Sequence, residues 1–260
     1  MPAPRMYKTE GIILRQRRFG EADRFLTVYT PTIGKIEVKA RGVRKTTSRM
    51  SGHLQPLTRC MLSLAQGHVS DVVTGCETLE SFQPIRDDLE RLSRALYAVE
   101  LIDRMVPERV HGFPTYRLLH ETLRRLAVAD DQDRVLRFFE MRLVDQCGFR
   151  PELENCVGCG SVLEPVENFF APVTGGAVCR GCVGGLTGTR GLSLNALKVL
   201  RLLQRGSYND VVSVRMEGHL AEEVERHLRS YIVSVLERDV NSSAFIERLR
   251  REGARQAVEV

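Results

Sequence analysis

The sequence contains no tryptophan, and aromatic residues make up only 6% of its 260 residues. No apolar run approaches the roughly 18 consecutive positions of a membrane-spanning helix, which excludes a transmembrane helix. The first residues, MPAPRM, lack the apolar segment of a secretory signal. We therefore expect a cytoplasmic protein in which any surface for stacking nucleobases has to be built from few side chains.

Motifs of nucleotide-binding and catalytic sites are also missing. The sequence has no GxxxxGK[ST] phosphate-binding loop, no GxGxxG after a strand and no GxSxG nucleophile turn. Its carboxylates are scattered along predicted helices, without the paired arrangement that acid–base or two-metal chemistry uses. We therefore predict no catalytic residues, and a binding protein rather than an enzyme.

Positive charge is concentrated in one stretch of the chain. Residues 35–49 contain six cations and one anion, a net charge of +5, which equals the formal net charge of the whole chain. Ile36, Val38 and Ala40 alternate there with charged residues, so a strand would place apolar side chains on one face and cations on the other. Gly42 ends the alternation, and we expect a mobile basic segment rich in Thr and Ser to follow.

Such a row of cations can follow a phosphate backbone, because alternate residues on a strand face lie about 7 Å apart. The pattern also fits an ordinary solvated strand face on which lysines prevent pairing at a sheet edge. The continuation of positive charge beyond the strand favours a polyanion site. Its candidate contacts are Lys35, Lys39, Arg41, Arg44, Lys45 and Arg49.

The first third of the chain is predicted to be β-structure. Runs rich in Val, Ile, Leu and Thr are separated by Gly, Pro or polar clusters, and they place five strands at 7–15, 24–30, 34–41, 57–64 and 68–80. Five strands in so short a segment favour a small barrel. A five-stranded OB-fold barrel that binds oligonucleotides is the leading candidate, and an SH3-like barrel fits the same pattern.

Beyond Pro84 the apolar residues recur every three or four positions, as in amphipathic helices. Ser193 is a favourable N-cap for one of them. The pattern predicts helices at 84–106, after Pro114, at 133–147, after Ser193, at 220–236 and at 243–251. Their leucine stripes indicate the core of a helical bundle.

Seven cysteines are an odd number for a disulfide framework. Four of them form two C-x2-C pairs separated by 19 residues: Cys156, Cys159, Cys179 and Cys182. This spacing is typical of two zinc knuckles around one tetrahedral ion, with a redox dithiol pair or a lost metal as alternatives. Four thiolates close the coordination sphere, so we predict one structural zinc ion per chain. The other cysteines lie in apolar runs and are expected to be core thiols: Cys60, Cys76 and Cys147.

The order of these parts resembles that of the bacterial RecO family of recombination mediators. Several short motifs are also similar, namely GEADR at 20–24, LTVYT at 26–30, GK at 34–35, ARGVRK at 40–45 and LQPL at 54–57. The resemblance extends from about residue 7 to residue 249 and is densest in the predicted barrel.

This resemblance implies an N-terminal OB-fold that binds single- and double-stranded DNA and anneals complementary strands without ATP. It implies partnership with RecR, and with RecF, in loading RecA onto DNA coated by single-strand-binding protein, whose acidic C-terminal tail RecO proteins contact. Zinc is not required for the family's chemistry, since many members but not all have the four cysteines. Carried over by position, the DNA contacts are the six cations named above, with Arg15, Arg17 and Arg18 as further candidates.

We therefore predict an α+β multidomain protein that acts at the nucleoid. Its expected parts are an OB-fold barrel at 1–81, a helical bundle at 82–150 and 191–252, an inserted zinc-ribbon-like module at 151–190 and a loose tail at 253–260. The rival functions are a zinc-ribbon regulator that reads a duplex sequence and a scaffold whose barrel binds a peptide. Binding of random single strands with an affinity comparable to that for duplex DNA would argue against the regulator. A strong dependence of DNA binding on salt would argue against the scaffold.

Overall fold

The computed structural model describes residues 5–46, 48–237 and 240–258, without the side chains of 241, 244 and 253–258. The chain divides into two compact units, which are Met1–Val128 with Phe245–Val260, and Ala129–Ala244. Each unit is described by itself below. Among the described residues, no helix is both long and apolar enough to cross a membrane.

Five strands form a closed barrel in the first unit. They are β1 (Met6–Phe19), β2 (Asp23–Thr30), β3 (Gly34–Ala40), β4 (Arg59–Ala65) and β5 (Asp71–Glu80). Their order around the barrel is β1-β2-β3-β5-β4, and every pairing is antiparallel except the short parallel one between β3 and β5. A five-stranded Greek-key barrel of this kind is the OB-fold, as the sequence predicted.

The barrel core follows the predicted alternation. Ile36, Val38 and Ala40 of β3 are at most 1% exposed, and they pack with alternate residues of the other strands, including Leu26 and Leu62. Removing such apolar side chains from water is the main force that closes the barrel.

The turn between β2 and β3 requires glycine at its last residue. Gly34 has a φ of +79°, and a Cβ there would lie 2.1 Å from the carbonyl oxygen of Val110. The Thr30 hydroxyl donates a hydrogen bond to the Gly34 carbonyl at 2.9 Å and accepts one from the Ile33 amide at 3.0 Å. The tight turn sets the β2–β3 register.

Three helices that follow the barrel along the chain belong to the same unit: α1 (Gln83–Arg86), α2 (Leu89–Met105) and α3 (Phe113–Val128). The sequence predicted one helix from residue 84 to 106. The structure interrupts it because the Asp88 side chain accepts hydrogen bonds from the amides of Glu90 and Arg91, which makes Asp88 the N-cap of α2. The unit boundary falls after α3, whereas the expected barrel domain ended at residue 81.

The segment before α3 is attached to the barrel by backbone contacts. The Arg109 amide donates to the Lys35 carbonyl at 2.9 Å, and the Tyr29 hydroxyl donates to the Gly112 carbonyl at 3.2 Å. These bonds explain why the helices group with the strands.

The second unit contains helices and a small sheet. In chain order its elements are α4 (Gln132–Gln146), β6 (Asn168–Ala171), β7 (Gly176–Val178), a 3-10 helix (Val183–Gly185), β8 (Arg190–Leu192), α5 (Leu194–Arg205), α6 (Tyr208–Ser213) and α7 (Gly218–Leu236). Ser193 caps α5, since its hydroxyl accepts the Ala196 amide at 3.1 Å, as predicted. The short helix α6 was not predicted.

The last helix, α8, spans Asn241–Val258. The sequence predicted that it ends near residue 251 and that 253–260 is a loose tail. The predicted helix end is wrong, because α8 continues to Val258; residues 259–260 lie outside the described residues.

Candidate nucleic-acid interface and candidate metal centre

One predicted cation, Lys35, has a structural role. The residue is only 7% exposed. Its ammonium donates to the Asp103 carbonyl oxygen and lies 3.5 Å from the Asp103 carboxylate. Lys35 therefore fixes α2 to the barrel, and its assignment as a phosphate contact is wrong. The alternation of apolar and charged residues correctly placed Lys35 on the outer side of β3. It could not predict that α2 covers this position.

Lys39 lies on the outer side of β3 and is partly engaged. Its side chain is 21% exposed, and its ammonium lies 3.1 Å from the Asp23 carboxylate and 4.4 Å from the centroid of the Phe19 ring. Asp23 also accepts the Gly42 amide at 2.9 Å. The Gly42 amide first, and then Lys39, lower the pKa of Asp23 below its usual value, so Asp23 competes with any phosphate for Lys39.

The basic segment after β3, residues 41–49, is anchored at its start. Val43 is 1% exposed, the Arg44 amide donates to the Ala22 carbonyl at 3.0 Å, and the Lys45 amide donates to the Gly42 carbonyl at 3.1 Å. Residues 42–45 are thus held by backbone contacts, and Thr47 lies outside the described residues.

Four predicted contacts in this segment are exposed to solvent: Arg41, Arg44, Lys45 and Arg49. The Arg44 guanidinium donates to the Gly20 carbonyl at 3.3 Å, which holds it beside the β1–β2 turn. Within the described ranges, no side-chain ion pair involves these four cations. A phosphate can therefore approach them without first displacing a carboxylate.

The further candidates on β1 differ in their partners. Arg15 pairs with Asp103 at 2.7 Å, and Arg17 donates to both oxygens of Glu37, at 3.2 and 3.0 Å. Arg18 is exposed and faces Arg24 across the β1–β2 hairpin. Like charges opposite each other on a strand pair are destabilising, so a bound anion would relieve this pair.

Two aromatic side chains that were not predicted from the sequence lie among these cations. The rings of Phe19 and Phe25 meet edge-to-face with centroids 4.9 Å apart, and the Arg17 guanidinium lies over the Phe25 ring at 4.3 Å. Phe19 is 44% exposed. The predicted first strand ended at residue 15, whereas β1 continues to Phe19, so the ring was not placed on the barrel. Phe19, Phe25 and Lys39 all occupy outward-facing positions of their strands. Extending the first predicted strand to residue 19 would therefore have placed the Phe19 ring beside Lys39.

We use the name β1–β3 face for the outward-facing side chains of Arg17 and Phe19 on β1, Phe25 on β2, and Lys39 on β3 with Arg41 after it. It lies between the β1–β2 turn at 20–22 and the β4–β5 loop at 66–70. OB-folds bind oligonucleotides on the corresponding face and loops. The arrangement can therefore hold an extended polyanion that carries flat rings.

The four predicted cysteine ligands are brought together in the second unit. The sulfur atoms of Cys156, Cys159, Cys179 and Cys182 all lie within 4.8 Å of one another, and the Sγ atoms of Cys159 and Cys179 are 3.9 Å apart. Sulfurs about 2.3 Å from one tetrahedral ion would be separated by about 3.8 Å. The donor set and its size therefore fit one metal ion.

Backbone amides prepare Cys156 to act as a thiolate. Burial raises the pKa of this thiol, but hydrogen bonds from the amides of Cys179, Cys159 and Gly158 outweigh burial and lower the pKa to about 6. Gly158 permits the tight approach, since a Cβ there would lie 2.8 Å from the Cβ of Cys182. Amide donors around a ligating sulfur are the outer shell expected of a thiolate metal site.

The remaining cysteines lie apart from this cluster. Cys60 is buried, and Cys76 and Cys147 are half-buried. In the part of the chain that the structure describes, the four-cysteine cluster is the one group of three or more metal-binding side chains. Cys147 is thus not a fifth candidate ligand, although it precedes Cys156 closely in sequence.

Comparison with known proteins agrees with the geometry. The family described as Recombination protein O N terminal matches residues 5–82, and Recombination protein O C terminal matches 86–244. A DNA repair protein RecO from Roseiflexus sp. (strain RS-1) is 42% identical over 247 residues, which cover 95% of this chain and 87% of the relative.

Two further proteins of the same name are similar over nearly their whole length. The one from Symbiobacterium thermophilum is 38% identical over 250 residues, covering 94% of this chain and 98% of the relative. The one from Dehalococcoides mccartyi (strain BAV1) is 36% identical over 250 residues, covering 96% and 98%. The chain belongs to the RecO family of DNA repair proteins.

Proposed function

We propose that this protein is a recombination mediator that binds single- and double-stranded DNA through its barrel and anneals complementary strands without ATP. The observation that carries the proposal is the group of exposed cations after β3, which continues the β1–β3 face. The proposed contacts are Lys39, Arg41, Arg44, Lys45 and Arg49, with Arg17 and Arg18 beside them.

Annealing needs no bond chemistry from the protein. Two complementary strands repel each other, and a surface that neutralises their phosphates lowers that repulsion while base pairing supplies the driving force. Because the proposed cations are arranged along a strand and a loop rather than aimed at base edges, we expect binding that does not depend on sequence. A regulator that reads a duplex would instead discriminate among base pairs.

We further propose that the protein acts at the nucleoid in the cytoplasm, where it would help load RecA onto single-stranded DNA coated by single-strand-binding protein. Its proposed partners are RecR, the acidic C-terminal tail of single-strand-binding protein and, indirectly, RecF and RecA. Membership of the family supports this role.

The four-cysteine cluster is proposed to hold one zinc ion. Zinc accepts four thiolates in tetrahedral geometry, and such a closed site leaves no position for a reacting water. The ion would stabilise the module around β6 and β7 and would take no part in DNA chemistry. Metal analysis of protein purified without chelator should give about one zinc ion per chain.

A charge-reversal experiment tests DNA binding. The double variant Lys39→Glu/Arg41→Glu should weaken affinity for every DNA sequence by more than tenfold. It should also make the slope of log K against log salt shallower by about 1 to 2, since each lost phosphate contact contributes about 0.7 to 0.9. The matched control Lys198→Glu/Arg215→Glu changes the same charge at exposed sites in the second unit and should have little effect.

The assay is annealing of complementary oligonucleotides, with and without single-strand-binding protein, across a salt series. Unchanged affinity of the Lys39→Glu/Arg41→Glu variant at low salt would refute the proposed interface. Tight binding of one duplex sequence together with weak binding of random single strands would favour the regulator.

A further inference from the structure

Two aromatic rings on the β1–β3 face have no role in the barrel core. We infer that Phe19 and Phe25, with the Arg17 guanidinium, form a stacking surface for the unpaired bases of single-stranded DNA. This inference rests on the proposed function, because it assumes that the barrel binds DNA. It adds a basis for preferring single strands over duplexes, which phosphate contacts alone do not provide.

The register of three strands brings these side chains together. Arg17 on β1 pairs with Phe25 on β2, and Phe25 pairs with Lys39 on β3. Phe19 is the last residue of β1 and pairs with Asp23 across the hairpin. The two rings therefore lie in a row with a cation at each side, on the outward side of strands whose inward residues fill the core.

Contacts with each other and with neighbouring cations hold the two rings on the outer side of the barrel. Their edge-to-face contact at 4.9 Å fixes each ring against the other. The Arg17 guanidinium over Phe25 is held by its two hydrogen bonds to Glu37. Phe19 remains 44% exposed. The Lys39 ammonium lies 4.4 Å from the Phe19 centroid, and the part of the ring that stays exposed offers a flat apolar surface to a ligand.

Charge complementarity identifies that ligand. Arg41 directly follows Ala40, which pairs with Arg24 beside the β1–β2 turn, and Arg44 is held at the Gly20 carbonyl, so exposed cations flank Phe19 on the turn side. A ligand that places flat rings on Phe19 and Phe25 and anions on Arg41 and Arg44 is a nucleic acid with unpaired bases. Guanidinium planes also accept stacked bases, which gives Arg17 a part in the same surface.

Single-strand selectivity follows from the geometry of the ligand. In a duplex the bases stack on each other and present only their edges in the grooves, so they cannot reach the rings. In a single strand each base has a free face, and base–aromatic stacking tolerates every sequence. The rings should thus strengthen binding of single strands and leave duplex binding to the cations.

The chain provides a direct spectroscopic test, since it contains no tryptophan. The variant Phe19→Trp introduces one fluorophore at the proposed surface, and Phe149→Trp places the control fluorophore in the second unit at a residue of similar exposure, 45% against 44%. Saturating oligo(dT) should quench Phe19→Trp at least twofold more than duplex DNA does. It should leave Phe149→Trp unchanged.

The second measurement is affinity. Phe19→Leu/Phe25→Leu keeps the surface apolar but removes both stacking planes, and it should weaken oligo(dT) binding by about 10- to 100-fold. Binding of a duplex of equal length should change less than twofold. Circular dichroism and thermal melting of each variant report whether the barrel is intact, and the Phe19→Trp result stands alone if the double variant does not fold.

The outcomes separate this inference from the proposed function. If wild-type protein binds neither DNA form, the proposed function fails. The stacking surface is wrong if DNA binding is salt-dependent but Phe19→Leu/Phe25→Leu loses single-strand and duplex affinity equally. It is also wrong if oligo(dT) does not change the fluorescence of Phe19→Trp. In both cases the proposed phosphate interface stands.

Discussion

The carboxylate of Asp23 lies 3.1 Å from the ammonium of Lys39 and accepts the Gly42 amide at the same time. This one acid therefore connects the β1–β2 hairpin, the outer side of β3 and the start of the basic segment. It also neutralises a cation that the proposed DNA interface uses. Its lowered pKa keeps Asp23 charged at neutral pH, so Asp23 competes with phosphate for Lys39 at every pH at which DNA binding would be measured.

Asp23→Asn should release Lys39 while the amide oxygen still accepts the Gly42 amide. Because an exposed ion pair is weak, we expect DNA affinity to rise only about two- to fivefold and the salt slope to steepen by about 0.7. Fluorescence anisotropy across a salt series measures both. Asp130→Asn removes an exposed acid in the second unit and controls for net charge. Weaker binding by Asp23→Asn would mean that Asp23 organises the interface rather than competing with it.

Lys35→Met should affect stability rather than DNA binding. The substitution removes the hydrogen bond to the Asp103 carbonyl and the ion pair with its carboxylate, and it leaves Asp103 paired with Arg15 at 2.7 Å. We expect a loss of about 1–3 kcal/mol in the free energy of unfolding. DNA affinity measured below the melting temperature should change less than twofold. A tenfold loss of affinity in a protein of unchanged stability would restore Lys35 to the interface.

The contrast between Lys35 and Lys39 shows what the sequence can establish. Strand alternation is a local property, so the inward position of Ile36, Val38 and Ala40 was predictable. Whether a helix covers the outward side depends on residues far along the chain, such as Asp103. Periodicity therefore identified the side of β3 for both lysines but could not separate Lys35, which anchors α2, from Lys39, the proposed DNA contact.

The two candidate sites differed in predictability for a related reason. The C-x2-C pairs fix the local geometry of each knuckle within a few residues, so the cysteine cluster was identified from spacing. The stacking pair depends on the hairpin register that joins Phe19 to Asp23 and Phe25 to Lys39. The basic and polar residues at 16–18 were not predicted as part of the first strand, so Phe19 was missed.

Removing the metal should loosen the cysteine module selectively. Cys182→Ser, or treatment of wild-type protein with a strong chelator, should release about one zinc ion per chain and increase proteolysis within 151–190 at least tenfold, because metal binding and folding are coupled in such modules. Cys147→Ser is the matched control, since Cys147 is half-buried and outside the cluster. Limited proteolysis with mass spectrometry gives the readout. Equal protection with and without metal would contradict a structural role.

Buried His227 should make the second unit sensitive to mild acid. It is 1% exposed, and burial lowers the pKa of its imidazole, although nearby Glu223 raises it, while Arg226 and Arg190 act with burial. The unfolded chain then binds a proton near pH 6.5 that the folded chain does not. Stability is therefore fully present above about pH 6.5 and falls as the pH drops below it, by at most about 1.4 kcal/mol per pH unit.

Hydrogen exchange of α5 and α7 amides at pH 7 and pH 5.5, corrected for intrinsic rates, measures this loss. His227→Gln cannot titrate, so its protection should change less between the two pH values even if its stability at pH 7 is lower. His219→Gln replaces an exposed histidine on the same helix and should retain the wild-type pH dependence. If His227→Gln and wild-type protein lose protection equally, another group carries the acid sensitivity, and Glu223, which accepts hydrogen bonds from Ser193, is the next to test.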